Sequence, residues 1–156
     1  RPPAQRGLLH PLAFITTLYH ISSGASGEVT HQLLRLRPRG DLDIDQYLNQ
    51  ITLRRFGDIA CVLDGYFYLF LFACRADGLE PALGNICRLP WRDIFSEITP
   101  LSTVDDLPRE AFLNAPQRSE AYDTAKEEVT ENLAQAIARA GYIPQRISLS
   151  LSEPCP

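Results

Sequence analysis

The chain has 156 residues, a net charge of −4 and 45% hydrophobic residues, which fits one folded domain able to bury a core without metal or disulfide support. The sequence pI is about 5.3, so the basic surplus that supplies most nucleic-acid affinity is missing and nucleic-acid binding is disfavoured. No stretch reaches the roughly 18 apolar residues of a membrane span, so no membrane partner is expected.

Fourteen of the fifteen basic residues are Arg, with Lys126 the exception, a skew that composition alone can produce. Cys61, Cys74, Cys87 and Cys155 show neither a Cys-x-x-Cys pair nor zinc spacing. They are expected as free thiols, in the cytoplasm or another reducing intracellular compartment. No Met occurs, which leads us to expect a chain cut from a longer protein.

Residues 1–12 hold three prolines and are expected as an extended lead-in. One domain is expected over 13–152, with 153–156 as a tail. Residues 13–21 are rich in β-branched and aromatic side chains and are expected as a strand, paired with 29–37 across the loop 22–28. Residues 43–56 carry acids at their start, arginines at their end and an apolar stripe of Ile44, Tyr47, Leu48 and Ile51, the pattern of a helix stopped by Gly57.

Residues 59–75 carry the clearest signal. Asp64-Gly65 between two apolar runs predicts a two-residue type I′ hairpin, placing Cys61 opposite Tyr68, Leu63 opposite Tyr66 and Ile59 opposite Phe70. Both faces of this hairpin are apolar, so both must be covered, by the chain itself or by a partner.

Residues 76–118 contain five prolines and are expected as an irregular insert, with short helices near 90–98 and 107–114. Residues 119–140 have a helical apolar stripe, and 146–152 alternate as a half-buried strand. The resulting order is ββαββ(insert)αβ, an α+β antiparallel sheet with a ferredoxin-like core and an extra N-terminal strand.

Familiar chemistry is sparse. The acids at 41–45 begin like a calcium loop, but Gln46 and Thr52 stand where Gly and Glu are needed. His20, His31 and Glu28 lack a supporting shell for metal, so no metal and no cofactor are expected. Cys87 beside Arg88 is the weak reactive-thiol candidate.

The two-sided apolar hairpin favours a non-enzymatic protein–protein interaction domain of adaptor, regulatory or inhibitor type, which could homodimerise through a sheet face. Its partner-binding candidates are Tyr66, Tyr68, Phe70, Phe72, Trp91, Arg35 and Arg37. One alternative is a small-ligand domain or enzyme with its pocket between the sheet and residues 80–100. Another is RNA binding on the sheet, in the manner of an RRM, with Arg35, Arg37 and Arg39 running into Arg54 and Arg55 beside the hairpin aromatics.

Overall fold

The structure is a computed structural model, and it describes residues 5–23 and 29–116. The helix expected at 119–140 and the strand at 146–152 lie outside the described residues. The element order is α1 (Pro11–Ser23), β1 (Gln32–Pro38), α2 (Ile44–Leu48), β2 (Ile59–Leu63), β3 (Tyr66–Leu71), α3 (Leu79–Ile86), β4 (Phe95–Pro100) and α4 (Arg109–Leu113). The four strands form one sheet in the order β2-β3-β1-β4, with every neighbouring pair antiparallel.

The hairpin forms as its sequence demands. Asp64 and Gly65 both have positive φ, at 50° and 81°, which a type I′ turn requires. Cys61 lies opposite Tyr68, Leu63 opposite Tyr66 and Ile59 opposite Phe70.

The first expected strand is instead α1. Pro11 opens it, where a missing N–H costs nothing. Phe14, Ile15, Leu18 and Ile21 are buried at helical spacing, and this amphipathic face outweighs the β-branched composition. Its partner in the expected hairpin survives as β1, which pairs with β3 and β4.

The helix expected at 43–56 shrinks to one turn. Asp43 caps it and forms a reciprocal capping box with Gln46, which accounts for the acidic cluster. Beyond Asn49 the chain pairs instead with the end of α3: Thr52 N–H donates to the Ile86 carbonyl at 2.8 Å and Arg88 N–H to the Gln50 carbonyl at 2.9 Å. The arginines at 54 and 55 therefore leave the helix and enter a loop.

Residues 76–116, the described part of the expected insert, are more regular than their prolines imply. The short helix expected at 90–98 is one 3₁₀ turn, Trp91–Asp93, followed by β4. The helix near 107–114 is present as α4. From β1 onward the order is β-α-β-β-α-β, but α3 and β4 complete it, inside the stretch expected as an insert.

Both faces of the sheet are covered by the chain. One carries Leu34, Leu36, Phe67, Leu69 and Leu71 against Tyr47 and Leu48 of α2 and Leu83 and Ile86 of α3. The other carries Leu33, Ile59, Cys61, Tyr68 and Phe70 against Phe14, Ile15 and Leu18 of α1 and Phe112 of α4. At roughly 1.5–3 kcal/mol for each large side chain buried, these two layers supply the core. The five prolines of 76–118 tilt the sequence expectation toward a partner or second copy as part of this cover; the structure instead covers both faces from within the chain.

The lead-in also contributes. Leu8 bridges Ala60 of β2 in parallel, with Leu9 N–H donating to the Ala60 carbonyl and Ala60 N–H to the Gly7 carbonyl, each at 2.8 Å. No helix among the described residues is long and apolar enough to cross a membrane.

Candidate functional site

The start of β2, the end of β3 and the approach to β1 meet at one end of the sheet. The loop entering β2 reads Arg54-Arg55-Phe56-Gly57-Asp58. Asp58 is buried, with its side chain 1% exposed. A lone buried carboxylate would be costly, and Arg55 resolves this by clamping it twice: Nε donates to Oδ2 at 2.9 Å and Nη2 to Oδ1 at 3.0 Å. The clamp raises the Arg55 pKa above its ordinary value. Gly57, at φ 98°, makes the loop tight enough; a Cβ there would lie 3.0 Å from Cβ and Cγ of Phe72.

The turn leaving β3 completes the arrangement. Phe72 N–H donates to Asp58 Oδ1 at 2.8 Å, and Arg55 Nη2 donates to the Phe72 carbonyl. Ala73 then takes φ 50°, an uncommon conformation for a residue with a side chain. Its N–H donates to His31 Nδ1 at 2.8 Å, and Gln32 Nε2 donates to the Cys74 carbonyl at 3.1 Å.

Between this turn and α3 lies a cavity of about 330 Å³. Arg54, Arg55 and Arg75 are among the residues lining it, with Asp58 and Asp77. Pro81, Ala82, Asn85 and Ile86 form the α3 wall. Arg75 is exposed and only loosely paired with Asp77, at 3.7 Å. Arg55 Nε and Nη2 are engaged with Asp58 and Phe72, so Nη1 is its remaining donor edge. The result is a clamped guanidinium with two exposed arginines lining the same concavity, in an otherwise acidic chain. Such a site can accept an anion and the acceptor edge of a planar base. Cys74 lines the same cavity; burial pushes its thiol up, partly opposed by Arg55.

The residues singled out in the sequence are scattered. Tyr68, Phe70 and Phe72 are buried beneath α1 and α4 or beside His31, so they offer no open surface to a protein or an RNA. Tyr66 is half-buried, with the guanidinium of Arg35 over its ring at 4.8 Å and that of Arg37 at 5.7 Å. This cluster stands at the hairpin end of the sheet, opposite the cavity. Trp91 is elsewhere, donating to Glu80 Oε2 at 3.1 Å with Arg92 over its ring. Cys87 is buried where α3 ends, and burial pushes its thiol up to about 11, away from the reactive range. His31 is buried and bonded to Ala73, whereas His20 is exposed at the end of α1. Among the described residues no group of His, Cys, Asp or Glu could hold a metal.

This cavity is not the pocket expected between the sheet and residues 80–100: α3 forms one wall, but the rest of its described lining comes from the segments at 54–58 and 73–78 rather than from the sheet. Its polar wall was missed, because Arg54 and Arg55 read as helix-terminal charges. The available signal was Arg55 and Asp58, opposite charges three residues apart across a Gly, directly before a strand.

The chain is 39% identical over 64 residues to the Cyclic di-GMP binding protein BcsE of Klebsiella pneumoniae, an alignment covering 41% of this chain and 12% of that protein. The same identity and coverage relate it to the proteins of that name from Salmonella typhimurium and Escherichia coli. The aligned region is thus a small part of each relative. Residues 13–150 match the family described as BcsE, degenerate GGDEF domain, and with nearly the whole chain inside that match, the chain belongs to this family.

Proposed function

We propose that this domain is a non-catalytic regulatory module that binds cyclic di-GMP in the cavity lined by Arg54, Arg55, Asp58 and Arg75. The single observation that carries this is the Asp58-clamped Arg55 in a cavity lined by three arginines and two aspartates. The ligand suits that chemistry. It carries two phosphodiester charges, and each guanine presents the N7 and O6 acceptors that arginine recognises. Arg55, fixed by Asp58, meets one acceptor edge through Nη1, and the exposed Arg54 and Arg75 meet phosphate. The relatives named Cyclic di-GMP binding protein support the ligand. The word degenerate in the family description supports the lack of catalysis, and the chain contains no Gly-Gly pair with which to spell GGDEF.

We read the β-α-β-β-α-β order with its antiparallel sheet as a ferredoxin-like scaffold for this site. A regulatory domain must pass occupancy to another protein or to the rest of a longer chain. The exposed Phe56, inside the arginine loop, is the nearest apolar side chain for such a contact. We place the domain in the cytoplasm, in keeping with the free thiols of Cys61, Cys74 and Cys87.

Titration calorimetry with cyclic di-GMP tests the proposal. Wild-type protein should bind it in preference to GTP, and Arg55→Ala should weaken binding at least about tenfold, the scale of a lost charge-assisted contact. Unaltered binding in a folded Arg55→Ala protein would move the site elsewhere.

A further inference from the structure

The turn that forms the cavity floor is held from behind as well as from the front. On the cavity side, Asp58 and Arg55 hold the Phe72 N–H and carbonyl. On the far side, His31 accepts from Ala73 N–H and Gln32 donates to the Cys74 carbonyl. Three consecutive residues thus have backbone groups tied to side chains, where a regular strand would tie them to a neighbouring strand. The middle residue, Ala73, sits at φ 50°, a conformation that persists where surrounding contacts enforce it.

His31 suits this task in detail. It is buried, its ring lies 5.2 Å from that of Phe70 and 4.8 Å from that of Phe72, and its Nε2 makes no hydrogen bond. Accepting at Nδ1 requires the neutral form with the proton on Nε2. A buried nitrogen without a partner is a cost, so the ring is not there to satisfy its own polarity. Among the described residues its one polar contact is the Ala73 N–H.

We infer that His31, with Gln32, is a positioning residue for the arginine site: it fixes the Phe72–Cys74 turn, and through that turn the Phe72 groups that orient Asp58 and Arg55. The inference rests on the proposed site, but its first readout needs no ligand. His31→Phe keeps the ring packing and removes the acceptor; His31→Asn keeps an acceptor near Nδ1.

The experiment follows the Arg55 side-chain Nε–H by NMR in the full chain, together with titration of cyclic di-GMP. In wild type, exchange of that proton should be slowed by the Asp58 clamp. In His31→Phe the protection should fall and affinity should drop about tenfold, while His31→Asn restores both. Gln32→Leu should show the same loss in smaller measure, and it decides the matter if His31→Phe does not fold. Wild-type protection and affinity in a folded His31→Phe or Gln32→Leu protein would overturn the inference. A wild-type chain that shows the protected proton but binds no cyclic di-GMP counts against the proposed function alone, since the proton still reports whether His31 positions Arg55.

Discussion

At the scale of single residues, the chain makes a few buried polar groups hold its least regular backbone. Asp58 and His31 are the buried carboxylate and imidazole among the described residues, and both bond to the turn after β3. For His31 this has a pH signature. Burial lowers its pKa from 6.5 to about 4, so the folded state resists a proton that the unfolded chain accepts. The sign follows from that difference. Stability from this group is complete above pH 6.5, falls as the pH drops below it, and is lost by about pH 4, with a slope approaching about 1.4 kcal/mol per pH unit. Urea unfolding at pH 7, 6 and 5 should therefore show a steeper decline for wild type than for His31→Asn. Parallel declines would mean that His31 titrates normally.

At the scale of elements, what could be read from sequence depended on how local the determining contacts are. The β2–β3 hairpin was legible to the register, because Asp64-Gly65 sets the turn and the turn sets the pairing. Gly65→Val should cost about 1–3 kcal/mol, since a β-branched residue is strained at φ 81°; a urea midpoint equal to wild type would contradict this. α1 was not legible as a helix, because its Ile, Thr and aromatic content favours strands and only its packing under Phe70 and Tyr68 shows which periodicity prevails. The end of α2 was misjudged because its continuation is decided by residues 86–88, more than thirty positions away. The site shared this difficulty. Arg55 and Asp58 lie three residues apart in sequence, but the turn at 72–74 and Arg75, which give them their setting, come from another part of the chain.

At the scale of the molecule, the sheet lies between two helical layers, and the stretch before α1 runs along the outer edge of β2. That last feature bears on solubility and on where the domain begins. An uncapped strand presents a row of N–H and C=O groups that can template pairing with another chain. Ala60 offers its outward N–H and carbonyl to Gly7 and Leu9, so residues 7–9 act as a seal against end-on growth. Gln5 fastens the same stretch by donating to the carbonyls of Leu48 and Ile51. A chain shortened to begin at residue 13, where the family match starts, would keep the sheet and expose this edge. It should remain folded by circular dichroism yet gain turbidity and thioflavin fluorescence on standing, while the longer chain stays clear. Equal behaviour of the two would mean that the seal is dispensable. Residues 7–9 would then carry no protective role; a difference would place the start of the stable folding unit ahead of residue 13, where the family match begins.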